Sequence, residues 1–183
     1  MALADVGMKV SVTEMAVWQE CQLHWWYKKQ FVGKPSPQMM LGSAVHEGVA
    51  AGLRGDKQAA IVAAQEYLLH HGMLQFNNGA KTALLGVPEW VWELEAPNSE
   101  QAVEVTKGGI TITGRPDLWW RDADSIVVVD FKTTSKGERE KLENYELWSP
   151  QLQRYAALLS EVHGVDVYWQ YIVLSTQGKS LEG

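Results

Sequence analysis

The stretch that decides the fold is GRPDLWWRDADSIVVVDFKTT, residues 114–134. Two apolar runs are separated by the polar segment RDAD, residues 121–124, which predicts two antiparallel strands joined by a turn. Besides Arg115 near the start, three charged residues interrupt these runs: Asp117, Asp130 and Lys132. A charge in a buried strand is costly without a partner, so these residues predict either an ion pair or a binding site.

Strand geometry predicts that the three charges share one side of the hairpin, because successive residues point to opposite faces. With the turn centred on residues 122 and 123, Asp117 opposes Val128. Asp117 and Asp130 are then diagonal neighbours roughly 7 Å apart, and Lys132 shares their face. In this register the other face is almost entirely apolar: Ile112, Pro116, Leu118, Trp120, Val127, Val129 and Phe131, with Gly114 opposite Phe131 and Arg115 opposite Asp130.

Two interpretations of the charged face follow. Two carboxylates within reach of one cation suit Mg²⁺ or Mn²⁺, which prefer oxygen ligands. A lysine two residues beyond one of them can bind a phosphate or position a water molecule without being a ligand. The alternative is a structural Asp–Lys or Asp–Arg pair at the end of the sheet. Spacing alone supports the two interpretations equally.

The composition predicts one domain with a sizeable core, since 46% of the 183 residues are hydrophobic and 21% are charged. The net charge of −6 argues against general adhesion to nucleic acid but permits a local basic groove. Cys21, the single cysteine, excludes an internal disulfide and is predicted to be a small buried apolar residue. We recognise neither a secretory signal nor a membrane span, so we expect a cytoplasmic location.

The order of the predicted elements indicates an α/β or mixed α+β domain with a sheet core. Ser11-Val-Thr-Glu14 is a capping box that starts a long apolar helix, residues 11–31, which we expect to be buried on much of its surface. Lys107-Gly-Gly109 predicts a hairpin turn. The other predicted elements are helices at 41–53, 57–71, 138–147 and 151–164, and strands at 88–95, 101–106, 110–120, 125–134 and 165–175.

Pro116-Asp117 followed by Asp130-Phe-Lys132 resembles the signature of the PD-(D/E)XK nuclease superfamily. The surrounding elements are similar to its RecB-type branch and run in the family's order: LGSAVHEGV (41–49), GRPD (114–117), DFKTT (130–134) and QLQRY (151–155). The resemblance implies a restriction-endonuclease-like core, a central mixed sheet flanked by helices, with an N-terminal helical segment. It implies one nuclease domain, 1–183, with a helical part at 1–75 and a sheet core at 86–183 that includes a helix at 150–163.

The resemblance also implies a site. A metal would be held by side chains and one backbone carbonyl, and a lysine would orient the attacking water and stabilise charge on the phosphate. The implied catalytic residues are Asp117, Asp130, Lys132, Gln151 and Tyr155, and the implied metal ligands are His46, Asp117, Asp130 and the carbonyl of Phe131.

Five further residues have two interpretations each. Glu93 or Glu95 either projects towards the metal or lies on a solvated strand face. Arg115 and Arg154 either contact a DNA backbone or form ion pairs. Trp119 either stacks on a base or packs against the protein, and packing is the commoner role.

These observations favour a Mg²⁺- or Mn²⁺-dependent DNA nuclease, with exonuclease action favoured, in recombination, repair or phage DNA processing. The alternative is a non-catalytic nucleic-acid-binding protein or an accessory subunit of a larger helicase–nuclease complex. DNA and a helicase or recombination protein are the expected partners, without a membrane and with the oligomeric state open. CRISPR-associated exonucleases, which the chain also resembles, bind an iron–sulfur cluster through one early and three late cysteines. With Cys21 alone, we expect no such cluster.

Overall fold

The computed structural model describes residues 8–31, 33–135 and 145–177, with side chains of the last helix described from residue 150. These residues form seven α-helices, a short 3₁₀ helix at Leu74–Phe76 and seven strands, which confirms the mixed α/β class. The helices are α1 (Val12–Glu20), α2 (Gln22–Gln30), α3 (Pro37–Arg54), α4 (Lys57–His70), α5 (Asn77–Leu85), α6 (Glu89–Trp92) and α7 (Tyr145–His163). The strands are β1 (Met8–Ser11), β2 (Asn98–Ser99), β3 (Val103–Lys107), β4 (Ile110–Gly114), β5 (Leu118–Asp122), β6 (Ser125–Thr134) and β7 (Asp166–Ser175).

The strands form two sheets, with the orders β1-β4-β3 and β2-β5-β6-β7. The chain divides into two compact units: residues 1–34, 100–129 and 146–170 form the first, and residues 35–99, 130–145 and 171–183 form the second. The single nuclease domain over 1–183 stays a prediction. The predicted helix at 138–147 lies outside the described residues as far as residue 144.

In the first unit, β1 pairs in parallel with β4, and β3 pairs antiparallel with β4. Gly108 and Gly109 have φ values of 58° and 79° between β3 and β4, which confirms the predicted hairpin turn. The single strand predicted over 110–120 is wrong. It divides into β4 and β5, which lie in different sheets, and Pro116 in the gap has no amide hydrogen to donate to a ladder.

The hairpin of β5 and β6 has a register shifted by two residues from the prediction. Leu118 pairs with Val129 and Asp122 with Ser125, so the turn is centred one residue later than predicted. Val128 therefore faces Trp119 instead of Asp117. A shift of two residues preserves which side chains share a face. The predicted pairs are nevertheless wrong, and Gly114 pairs with Val103 in the other sheet instead of facing Phe131.

The predicted capping box at the start of α1 is confirmed. The Glu14 backbone N–H donates to the Ser11 hydroxyl, and the Ser11 N–H donates to the Glu14 carboxylate at 2.8 Å. The long helix is interrupted at Cys21, which has an extended φ of −161° and caps α2. Two burial predictions are wrong here: Cys21 is exposed, and α2 has no buried residue.

The second unit is built on α3, α4 and α5. Ser36 caps α3 by accepting from the Met39 N–H, with Pro37 in the first turn, so α3 begins four residues before the predicted helix. A Cβ on Gly48 or Gly52 would lie within 3 Å of atoms of Ala60, which shows how closely α3 approaches α4. The strand predicted at 88–95 is wrong, because Glu89–Trp92 form α6, which buries Val91.

Candidate functional site

Strand β6 carries the most deeply buried charge among the described residues. Asp130 is 2% exposed, and its Oδ2 lies 2.6 Å from Nζ of Lys132. Residues two apart on a strand point to the same side, so the contact confirms that this aspartate and lysine share a face. The Nζ atom also lies 6.0 Å from the centre of the Tyr171 ring, within range of a cation–π interaction. The lysine is thus held between a carboxylate and an aromatic face, with 22% of its side chain exposed.

Helix α3 brings an imidazole to the backbone of the same strand. Nε2 of His46 lies 3.0 Å from the carbonyl oxygen of Phe131. One turn earlier on α3, a Cβ on Gly42 would be 3.5 Å from Oγ1 of Thr133, an ordinary contact distance. The Gly42 and His46 face of α3 therefore lies against the strand residues that follow Asp130.

A pair of carboxylates occurs next to the start of β5. The backbone N–H of Glu100 donates to the carbonyl of Asp117 at 3.3 Å, and carboxylate oxygens of the two residues lie within 4.8 Å of each other. Both residues are half-buried, and Glu100 has a φ of 53°, which is uncommon for a residue other than glycine. Strained backbone of this kind clusters at functional sites. These two carboxylates are therefore candidate metal ligands.

Glu100 is a residue that the sequence analysis missed. It follows the two-residue strand β2, where no periodic pattern marks an inward-facing position. Glu93 or Glu95 was predicted either to project towards a metal or to lie on a solvated strand face, but Glu89–Trp92 form α6 and no strand occurs at residues 88–95.

Helix α7 carries Gln151 and Tyr155, the two predicted site residues of the QLQRY segment. Nε2 of Gln151 donates to the Tyr155 hydroxyl at 3.4 Å, as residues one helical turn apart can. The Tyr155 ring is 5% exposed, and a Cβ on Gly114 would lie 2.9 Å from its Cε1 atom. Gly114 thus leaves space for this ring, and only glycine fits there without displacing it. The tyrosine has a packing role whatever its chemical role.

The remaining candidates are distributed as follows. Trp119 is 9% exposed, with its ring centre 5.1 Å from that of His163, so its packing interpretation is supported. Arg154 donates to the side-chain oxygen of Gln19. Arg115 is exposed and lines a pocket of about 300 Å³ in the first unit.

The structure thus joins the predicted residues in pairs: Asp130 with Lys132, His46 with Phe131, and Gln151 with Tyr155. Asp117 is joined to Glu100, which was not predicted. The catalytic and ligand roles of these residues stay predictions. The donor set itself fits a hard divalent cation, because carboxylate and carbonyl oxygens suit Mg²⁺ and Mn²⁺ and imidazole is a common additional ligand.

The chain is similar to known proteins in both sequence and structure. Residues 9–179 match the family model of the PD-(D/E)XK nuclease superfamily. A crystal structure of a protein from Eubacterium rectale named "Putative exonuclease" is similar, with a TM-score of 0.67 and 10% sequence identity over 93% of this chain and 69% of that chain. This likeness confirms the restriction-endonuclease-like fold, whereas the RecB-type branch stays a prediction. No curated protein matches the chain. None of the described helices is long and apolar enough to cross a bilayer.

Proposed function

Because the chain belongs to the PD-(D/E)XK nuclease superfamily, we propose that it is a metal-dependent deoxyribonuclease, with exonuclease action favoured. The observation that carries the proposal is the approach of His46 to the backbone of the Asp130-Phe131-Lys132 segment. Adjacent ligands of an octahedral ion with bonds of about 2.1 Å are about 3 Å apart. The 3.0 Å separation of the His46 nitrogen and the Phe131 carbonyl oxygen suits two neighbouring ligands as well as a hydrogen bond.

We propose that Mg²⁺ or Mn²⁺ is held by His46, Asp117, Asp130 and the Phe131 carbonyl, with Glu100 as an additional ligand. Two carboxylates within 4.8 Å repel each other, and a cation shared between Glu100 and Asp117 would offset that repulsion. When bound, a divalent cation supplies Lewis-acid stabilisation of phosphate charge and lowers the pKa of a water ligand.

The chain's own residues have distinct roles in the proposed hydrolysis. The Lys132 ammonium donates up to three hydrogen bonds and, held by Asp130, is oriented to bind a phosphate oxygen and the attacking water. Gln151, in contact with Tyr155, donates from the side of α7 and helps to position the phosphodiester. Water attacks phosphorus and releases a proton to solvent, the bond to the leaving oxygen breaks, and the leaving oxygen takes up a proton from solvent.

The biological setting is part of the same proposal. We place the enzyme in the cytoplasm, acting on DNA in recombination, repair or phage DNA processing, with a helicase or recombination protein as partner. The name of the Eubacterium rectale protein supports exonuclease action, as does the implied RecB-type branch.

The test is digestion of end-labelled linear DNA and of closed circular DNA with Mn²⁺, Mg²⁺ or EDTA. We expect cleavage of linear DNA by the wild type with either metal, none in EDTA, and resistance of the circle. Asp130→Asn, Lys132→Met and Glu100→Gln should each lower the rate by at least about 100-fold, the scale of losing one charge-stabilising group. Glu104→Gln, on an exposed acid paired with Lys9, is the matched control and should keep the wild-type rate.

Equal cleavage by the wild type and the three variants would overturn the assigned site. Cleavage of the circle would replace exonuclease with endonuclease action. Absence of cleavage by the wild type, with DNA binding retained, would favour the accessory-subunit interpretation instead.

A further inference from the structure

Helix α2 is unusual because its outward side is aromatic. Leu23, Trp26, Tyr27 and Phe31 at its end are between 50% and 67% exposed. At 100° per residue, Leu23, Tyr27 and Phe31 lie in one row, opposite the half-buried Trp25. This aromatic row (Leu23, Tyr27 and Phe31, with Trp26 beside it) therefore faces solvent, although it is the most apolar side of the helix.

The rings of the aromatic row are arranged against one another. The Tyr27 and Phe31 ring centres are 5.9 Å apart with planes inclined by 26°, which is a stacked pair. The Trp26 ring meets Tyr27 edge to face at 5.3 Å. Rings that already support each other lose little conformational freedom when a further flat group binds, which suits them to stacking.

The charge around the row is positive in a chain whose net charge is −6. Lys28 lies in the last turn of α2 and Lys34 follows shortly after it, whereas the neighbouring Lys29 is paired with Glu14. No aspartate or glutamate occurs between Cys21 and His46, whereas the whole chain has 22. A buried protein–protein contact does not require an excess of positive charge, whereas binding a polyanion does.

We propose that the aromatic row with Lys28 binds single-stranded DNA and holds the strand on the enzyme. Bases stack on Tyr27 and Phe31, and the adjacent phosphates lie near Lys28. The π-face of every base is suitable, so binding is tolerant of sequence but requires unpaired bases. The inference rests on the proposed nuclease function for its substrate, and it adds that the strand presented to the enzyme is single.

The experiment measures binding of fluorescently labelled dT20 and of a blunt 20-base-pair duplex by anisotropy, in EDTA, so that no strand is cleaved. In the double variant Tyr27→Ala/Phe31→Ala we expect the dT20 affinity to fall at least about tenfold, as loss of one stacked base implies. The duplex affinity should be nearly unchanged. The matched control Tyr168→Ala removes a ring that is 63% exposed on β7 and should keep the wild-type affinity.

Lys28→Gln separates the charge contribution from the stacking. It should reduce the slope of log affinity against log salt concentration by about 0.7, the value for one phosphate contact on a single strand. Since Tyr27 and Phe31 are exposed, their loss should leave the far-ultraviolet circular dichroism spectrum unchanged.

Unchanged dT20 affinity in the double variant overturns the proposal, as does an equal loss in Tyr168→Ala. The aromatic row would instead be a contact between copies of the chain if the wild type self-associates and the double variant is monomeric with unchanged dT20 affinity. Failure of the proposed function has a different signature: dT20 binding that depends on Tyr27 and Phe31, without cleavage in Mg²⁺ or Mn²⁺.

Discussion

Replacing Lys132 by Met should lower stability when no metal is present, because it removes the ammonium beside a buried carboxylate. The Asp130 side chain is 3% exposed, and its Oδ2 atom lies 2.6 Å from Nζ of Lys132. Removing one partner of a fully buried ion pair costs about 3–5 kcal/mol. Lys132 keeps 22% exposure, so we expect a loss of roughly 2–3 kcal/mol, or about 4–12 °C in Tm.

The assay is urea unfolding in EDTA, followed by circular dichroism, with Lys107→Met as the matched control. Lys107 contacts Glu161 at 3.0 Å, but the two side chains are 77% and 48% exposed. The same chemical change should there cost less than about 1 kcal/mol, because water solvates the remaining carboxylate. In an Asp130→Asn background, Lys132→Met should cost less than about 1 kcal/mol, since no charge remains to be stranded.

Manganese provides the second measurement on the same variants. A cation that binds only the folded chain stabilises it by about 2.7 kcal/mol at 100 times its Kd. At one Mn²⁺ concentration, Lys132→Met should gain more than the wild type, because a nearby positive charge that opposes cation binding is absent. Asp130→Asn should gain least. The reasoning is refuted if Lys132→Met and the wild type unfold at the same urea concentration in EDTA, or if Lys107→Met loses as much.

Two further predictions concern packing and pH. Gly52→Ala should destabilise the chain by about 1–3 kcal/mol in urea unfolding, because the added Cβ would clash with the Trp92 ring. The control Gly33→Ala places its Cβ where no atom lies within 4 Å, so its stability should be nearly unchanged. Equal stability of the two variants would contradict the close packing of Gly52 against Trp92. Partial burial acts to raise the pKa of the Glu14 carboxyl, but hydrogen bonds from Lys29 and Ser11 outweigh it and hold the pKa below 4.5. The ionised carboxylate therefore contributes stability above pH 4.5, and this contribution is lost as the pH falls through the lowered pKa. The stability advantage of the wild type over Glu14→Gln should therefore shrink in unfolding curves taken below pH 4.5, and an advantage that grows with acidity would show that the sign is wrong.

The part of the fold that could be predicted from sequence is the part encoded locally. The Ser11 and Glu14 capping box depends on atoms three residues apart, and the Gly108-Gly109 turn depends on backbone freedom at those two positions. The β5–β6 register was missed because Ala123 adopts a φ of 49° in the turn, where glycine is the usual residue. The two-residue error was harmless to the face assignment, because side chains alternate with a period of two.

The parts that could not be predicted depend on neighbours distant in sequence. PEWVWELE alternates like a strand, but four helical residues suffice to bury Val91, and periodicity cannot separate the two in so short a segment. The apolar content of α2 indicated burial, yet Tyr27 is 50% exposed and Phe31 67% exposed. Glu100 was missed because its proximity to Asp117 arises from tertiary structure.

The ion pair and the metal site, which spacing alone could not separate, are compatible. The ion pair exists, since Asp130 contacts Lys132 through Oδ2. A carboxylate has two oxygens and about four acceptor positions, so that contact does not exhaust its capacity. The pair also supplies what a metal site needs, a charged aspartate and a lysine held in one rotamer beside it. If that is its role, the Asp130–Lys132 contact should persist when Mn²⁺ binds, and Lys132→Met should lose cleavage while gaining metal affinity. Loss of cleavage together with loss of metal affinity would mean that the lysine acts by holding Asp130 in place.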